Sequence, residues 1–230
     1  MFIGHYGVAL AARRVEGRVP LWAYFIAVQW VDIVWCVLVF LGVERAHVEP
    51  GVNPSGPLVF DYYPYTHSLL AGILWGAAAC GLYLLVARAK GSHRAGVVLA
   101  LAVLSHWFLD FVVHLPDLDL VSESYKVGLG LWRYPAIETA VESALVIAGM
   151  VVYFRGSPGL SVQRRIVLVA LCITIAVVQL AGSFGPPPPS VKAMAVAGLA
   201  LYITFAALAR LAEGPPRTAR LPASQSTTSL

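Results

Sequence analysis

Charged residues and cysteines are scarce in this chain. Asp, Glu, Lys and Arg make up 12% of its 230 residues, whereas hydrophobic residues make up 59%. A soluble domain carries roughly one quarter charged residues, so the composition argues against an ordinary soluble protein. The cysteines Cys36, Cys80 and Cys172 lie within apolar runs, which argues against a disulfide framework and a thiolate metal cluster. The first residues lack a basic stretch, so we expect no cleaved signal peptide.

Long apolar runs dominate what remains, and a run of about 20 such residues can cross a bilayer. The predicted spans are 20–43, 66–88, 95–115, 136–154, 165–184 and 191–211. Residues 2–12 are apolar but too short, and they predict a helix that is half-inserted in the membrane or lies at its interface. The sequence therefore predicts an all-α, polytopic membrane helix bundle with six spans plus this short helix, in one domain over 1–212. The Pro- and Ser-rich segment 213–230 is predicted to be a disordered tail.

Basic residues divide unequally between the two sides that six spans create. One side collects twelve Lys and Arg residues and the other has four, namely Arg45, Lys126, Arg133 and Lys192. The positive-inside rule then puts both termini in the cytoplasm and the long loops 44–65 and 116–135 outside. The basic residues report topology, so we expect a lipid bilayer and no nucleic acid as partner; protein partners stay open. Tyr62, Tyr63 and Tyr65 are most simply interpreted as an aromatic belt at the interface.

One stretch of the third span, 105–114, carries three residues that can bind metals. His106, Asp110 and His114 follow each other at four-residue intervals, so they fall within an arc of roughly 80° on one helix face. Imidazole and carboxylate at this spacing can close on one ion. Ionisable residues inside a membrane are costly and indicate function by default. The alternative is a polar seam that only holds helices together.

Further candidates lie at the same predicted depth, between the midplane and the outer surface. Asp32 is near the middle of the first span, and His67 opens the second. Glu138 and Glu142 open the fourth span, again four residues apart. His5 reaches this depth only if the N-terminal segment enters the membrane.

These positions define a predicted site. The predicted metal ligands are His5, Asp32, His67, His106 and Asp110. Glu138 and Glu142 are predicted as ligands or a general base, and His114 as a group that orients Asp110 or a ligand water. Lys126 and Arg133 are predicted to hold an anionic substrate group. The donor set suits Zn²⁺ best and Mn²⁺ or Fe²⁺ less well, and it is large enough for one or two ions that activate water for hydrolysis.

The motifs Gly4-His5, Thr66-His67-Ser68-Leu-Leu and Ser105-His106-x-x-x-Asp110 resemble those of the YdjM-like membrane-bound metal-dependent hydrolases. Members of this family are also described as LexA-binding, inner-membrane-associated putative hydrolases. The resemblance covers about residues 1–145 and leaves out the last two spans, 165–211. The order of ligands is also similar to that of the zinc-dependent phospholipase C and nuclease superfamily. Together the two resemblances imply a helical fold, a zinc cluster, phosphoester cleavage and a bacterial-type inner membrane.

The functional expectation is a metal-dependent hydrolase that cleaves a phosphoester of a lipid or lipid-linked substrate. A metal- or proton-coupled transporter is one alternative, because buried carboxylates and histidines also line ion pathways. A non-enzymatic scaffold with a degenerate site is another, because the chain has a single Asp32 where the family has an aspartate-rich element.

Overall fold

The chain forms a bundle of α-helices, and the prediction of an all-α, polytopic membrane fold is confirmed. The computed structural model describes residues 1–88, 91–122 and 124–214. Five helices are long and apolar enough to span a membrane, and a bent pair makes a sixth span if its halves count as one. The elements are α1 (Ile3–Val15), α2 (Leu21–Val28), α3 (Trp30–Phe40), β1 (Arg45–Asn53), β2 (Gly56–Tyr62), α4 (Pro64–His67), α5 (Leu69–Ala87), α6 (His93–Val113), β3 (Leu118–Asp119), β4 (Lys126–Val127), α7 (Pro135–Arg155), α8 (Val162–Phe184) and α9 (Val191–Glu213).

Local sequence signals set several helix starts. The side chains of Ser68, Ser161 and Ser190 accept hydrogen bonds from backbone amides in the first turns of α5, α8 and α9. Pro135 opens α7, where its missing N–H costs nothing. Helix α9 continues to Glu213, two residues past the predicted end of the last span. The remainder of the predicted tail, from residue 215, lies outside the described residues.

The first predicted span, 20–43, is not one continuous helix. Helices α2 and α3 meet at Gln29 with a bend of 52°. A helix end leaves its last carbonyl groups without partners in the helix, so the break frees backbone oxygens inside the bundle. His67 is also separated from the span it was predicted to open, because it ends the one-turn helix α4 before α5 begins.

The N-terminal helix α1 is a central element of the bundle. It packs against α7, α2 and α6, and its residues from Ile3 to Gly7 are all buried. This burial favours the half-inserted alternative over a helix that lies at the membrane interface. Helix α9 packs against both α2 and α3, so the last spans adjoin the part of the chain that carries the predicted site.

Polar contacts gather the basic segments at one end of the bundle. Arg13 of α1 is ion-paired with Glu213 of α9, and Arg94 of α6 donates to the carbonyl of Val15. The opposite end carries two antiparallel strand pairs, β1 with β2 and β3 with β4. The loops predicted to share a side do lie together.

Candidate metal centre

The five predicted metal ligands come together in two overlapping groups. His5, His106 and Asp110 form one group, and Asp32, His67 and His106 form the other. Within each group the potential ligand atoms all lie within 4.8 Å of one another. His106 belongs to both groups, so the five residues form one continuous cluster. It joins α1, α3, α4 and α6, segments that are far apart in the sequence.

The histidine Nε2 atoms face the aspartate oxygens. Nε2 of His106 is 3.0 Å from Oδ2 of Asp110 and 3.5 Å from Oδ1 of Asp32. Nε2 of His67 is 3.2 Å from Oδ1 of Asp32 and 3.7 Å from Oδ2 of Asp110. His5 and His106 are fully buried, with 0% of each residue exposed. Two carboxylates this deep in an apolar bundle need a cation or protonated partners to offset the cost of desolvation.

The break between α2 and α3 orients His106. Val28 is the last residue of α2, and its carbonyl oxygen is 2.7 Å from Nδ1 of His106. A carbonyl oxygen only accepts, so Nδ1 must carry a proton and donate it. Nε2 is then the ring nitrogen that faces the oxygens of Asp110 and Asp32: it donates to them when the ring is protonated and offers a lone pair to an ion when the ring is neutral. His106 therefore presents a ligand atom to the centre of the cluster.

A relay of two residues orients His67 in the same way. The hydroxyl of Thr66 donates to Oε2 of Glu44 at 2.7 Å, so toward Nδ1 of His67, 2.8 Å away, it acts as an acceptor. Nδ1 of His67 then carries the proton and Nε2 keeps its lone pair. Glu44 also accepts the backbone N–H groups of Tyr65 and Thr66. Burial raises the pKa of Glu44, and the hydrogen bonds from Thr66 oppose this rise.

His5 completes the cluster from the N-terminal helix. Its ring is stacked on that of His106, with centroids 4.0 Å apart and planes 2° from parallel. Nε2 of His5 is 3.3 Å from Oδ1 of Asp110, and neither ring nitrogen makes a hydrogen bond within the described residues. The amino group of Met1 is 2.6 Å from the same aspartate oxygen and supplies a positive charge opposite it. Buried nitrogen atoms without partners are expected where a ligand or ion belongs.

Helix α9 also contributes to the cluster. The hydroxyl of Tyr202 donates to Oδ2 of Asp32 at 3.1 Å, while Oδ1 of the same aspartate faces His67 and His106. The bond fixes the rotation of the carboxylate, so Oδ1 points into the cluster. No signal in the sequence distinguished Tyr202 from other tyrosines.

The predicted catalytic residues surround the cluster without joining either ligand group. Nε2 of His114 is 3.9 Å from Oδ2 of Asp110, and its Nδ1 is 3.0 Å from Asp117. Glu138 accepts a hydrogen bond from Ser55 at the turn between β1 and β2. One oxygen of Glu142 accepts the N–H groups of Phe2 and Gly4, both at 2.9 Å, and so holds the start of α1. Their predicted roles as ligand or base stay predictions.

The two residues predicted to hold an anionic group do not line the cavity beside the cluster. Lys126 is 4.0 Å from Asp119 and lies over the ring of Tyr63. Arg133 is exposed in the 3-10 turn Leu131–Arg133. The belt interpretation is wrong for Tyr63, which is fully buried and donates its hydroxyl to the carbonyl of Asp117. Burial raises the pKa of this hydroxyl, so it stays protonated.

A cavity of about 500 Å³ opens from the cluster. Asp32, His67 and Asp110 line its floor, together with His114 and Glu138. The β1–β2 hairpin lines one side, where Phe60 of β2 stacks on Trp132, and the ring centroids of Trp132 and His114 are 4.1 Å apart. Helices α8 and α9 form another wall and also contact the strands of the hairpin.

Fold and site together define a helical membrane protein with a buried His/Asp cluster that is able to hold metal ions. Comparison of the chain with family models, with curated proteins and with solved structures gives no match. The resemblance to the YdjM-like hydrolases therefore stays a prediction. The residues that carry it, His5, His67, His106 and Asp110, do lie together in the cluster.

Proposed function

We propose that the protein is a membrane-embedded, metal-dependent hydrolase that holds one or two divalent ions, with zinc the best match. The observation that supports this most is the shared direction of the ligand atoms. Two separate hydrogen-bond arrangements, at Val28 and at Thr66, direct Nε2 of both His106 and His67 at two carboxylates. Five ligand-type side chains from four helices meet at this one place, which is more than a polar seam between two helices requires.

The donor chemistry fits a metal. Three imidazole nitrogens and two carboxylates suit zinc, and manganese or iron less well. An ion bound there would lower the pKa of a bound water toward neutrality and make it a nucleophile. Asp32 and Asp110 supply the negative charge that binds the ion, and the aromatic wall of Phe60 and Trp132 limits access of bulk water.

The predicted catalytic residues around the cluster take two different roles in this proposal. His114 and Glu138 line the cavity, so they are the groups we assign to proton transfer next to a substrate. Glu142 is directed at the start of α1, so we assign to it the positioning of His5. Only the positive charge of Lys126 and Arg133, and their location at the hairpin end of the bundle, support a role toward an anionic substrate.

A buried apolar layer argues against the transporter alternative. Between His5 and Arg13 along α1, the side chains of Tyr6, Ala9 and Leu10 are at most 1% exposed. The ring of Tyr6 packs on Phe25 of α2 at 4.8 Å. A transporter needs polar groups on both sides of its site, and this layer separates the cluster from the ion pairs at the other end.

We further propose that the substrate is an amphiphile with a phosphoester, a lipid or a lipid-linked compound. The cavity reaches the cluster from the end of the bundle that carries the hairpin and few basic residues. By the positive-inside rule this end faces outward, so the substrate arrives from the outer leaflet of a bacterial-type inner membrane and both termini are cytoplasmic. Reporter fusions at Leu230 and within 116–130 should report opposite sides, and a shared side would reject this orientation.

Metal analysis tests the first part of the proposal. Detergent-purified protein should contain at least one divalent ion per chain, and a His106→Ala, Asp110→Ala double variant should lose it. His93→Ala is the matched control, because His93 is exposed at the start of the same helix. Equal metal content in the double variant and the control would reject this cluster as the site.

Turnover of lipid phosphoesters tests the second part. Proteoliposomes made with lipid extracts should release a water-soluble head group, phosphate or phosphoester, and a chelator should stop the release. Metal-dependent cleavage of an amide or a soluble ester, without any turnover of lipid phosphate, would keep the hydrolase and reject this substrate class. No metal-dependent cleavage of any substrate would favour the scaffold alternative.

A further inference from the structure

The helical wall of the cavity differs in character from its floor. It is formed by the end of α8, the first half of α9 and one turn of α3. Most of its side chains are apolar or small, and they are Cys36, Val178, Gly182, Ala193, Met194, Ala197, Gly198 and Leu201. The floor carries the His/Asp cluster. The cavity therefore has one polar surface and one apolar surface.

Small residues on the two helices leave this space open. A Cβ atom added at Gly182 would meet nothing within 4 Å. Ala197 on the facing helix is exposed. Both helices belong to the segments that can span a membrane, so the neighbouring medium is hydrocarbon. An apolar wall of this kind suits apolar ligands, and the volume of the whole cavity is within the range of ligand pockets.

We propose that this wall is the binding site for the aliphatic chain of an amphiphile whose polar head reaches the His/Asp cluster. The assignment of the head rests on the hydrolase proposed above. Two polar side chains of α8, Gln179 and Ser183, also line the cavity and suit the oxygen atoms where a head group joins its chain. Tyr202 lines the same cavity and donates to Asp32, so one residue of α9 borders both the chain and the cluster.

Filling the space tests the proposal without disturbing the backbone. Gly182→Leu places a side chain in the open part of the cavity, and leucine is the better helix former. Gly81→Leu is the matched control, because Gly81 also lies inside a spanning helix, has nothing within 4 Å of its Cβ position and does not line the cavity. Ala197→Leu fills the same space from α9 and serves if Gly182→Leu does not fold.

The probe is a hexadecyl phosphate with a diazirine in its chain, photo-crosslinked to the full chain in phosphatidylcholine nanodiscs. We expect saturable labelling of peptides from 178–202, displaced by unlabelled hexadecyl phosphate but not by inorganic phosphate. Gly182→Leu should lower this labelling at least fivefold, whereas Gly81→Leu should not change it. Metal content equal to that of the wild type in both variants would show that the cluster is intact. Labelling that does not saturate, or that is equal in Gly182→Leu and Gly81→Leu, would overturn the proposal.

A second measurement tests the chain-binding site separately from the proposed hydrolase activity. Turnover of ethyl p-nitrophenyl phosphate without saturable chain labelling would keep the hydrolase and reject the chain site. Saturable labelling without turnover of either ethyl or hexadecyl p-nitrophenyl phosphate would keep the chain site and reject phosphoester hydrolysis as the reaction.

Discussion

Helix α1 lies so close to α7 that backbone touches backbone, and this contact sets the position of His5. A Cβ atom at Gly149 would be 2.2 Å from the carbonyl oxygen of Gly7, whereas ordinary contact begins near 3.4 Å. A backbone atom cannot rotate away as a flexible side chain can. Gly149→Ala should therefore push α1 away from α7 by about 1 Å.

A shift of this size is large for a metal ligand. His5 lies less than one helical turn from Gly7 and must move with it, while distances in a metal site hold to about 0.2 Å. We expect a loss of at least about tenfold in the affinity for the ion that His5 binds. The overpacking should also lower the free energy of unfolding by about 1–3 kcal/mol.

Competition with a chelator in detergent measures the affinity, and thermal unfolding reports whether the variant is folded. Gly81→Ala is the matched control, since a Cβ atom there meets nothing within 4 Å. If Gly149→Ala folds and binds metal as tightly as Gly81→Ala does, then His5 is not a ligand, or α7 does not set its position.

Four further variants examine the cluster: two remove hydrogen bonds to its residues, and two remove histidines of the cluster itself. Thr66→Val keeps the shape of the side chain but removes the acceptor for Nδ1 of His67, so metal affinity should fall about 10–100-fold without unfolding, as chelator competition can measure. Tyr202→Phe removes one hydrogen bond to Asp32, and the same assay should show a smaller loss of about two- to tenfold. Nε2 of His106 can bind one ion only, so a one-ion site predicts the same metal loss in His5→Ala and in His106→Ala by elemental analysis; one ion kept in His106→Ala would show a second ion held without this residue.

The sequence predicted which residues come together in the cluster better than it predicted the residues that support them. The spacing of His106 and Asp110 follows from the helical period alone, and the depth of Asp32 and His67 follows from the spans. Thr66 was visible as part of a motif, but its role depends on Glu44. That acid precedes the hairpin in the sequence, and it comes to Thr66 only when the hairpin folds back.

Other parts of the site had no local signal. The break at Gln29 has neither proline nor glycine at that position, so the pattern predicted one continuous span across 20–43. The contact of Tyr202 with Asp32 joins residues from opposite ends of the chain, and only the packing of α9 against α3 produces it. Tyr63 was interpreted as a surface residue because burial of a loop residue depends on tertiary structure.

The break at Gln29 also places two helix ends of opposite polarity beside the cluster. The C-terminal end of α2 carries partial negative charge and meets the imidazole of His106, while Asp32 is in the first turn of α3, where the partial charge is positive. A straight span would have neither end at this depth. If the cluster binds an ion as proposed, these fixed dipoles already hold the imidazole and the carboxylate in place, so less reorganisation remains when the ion arrives.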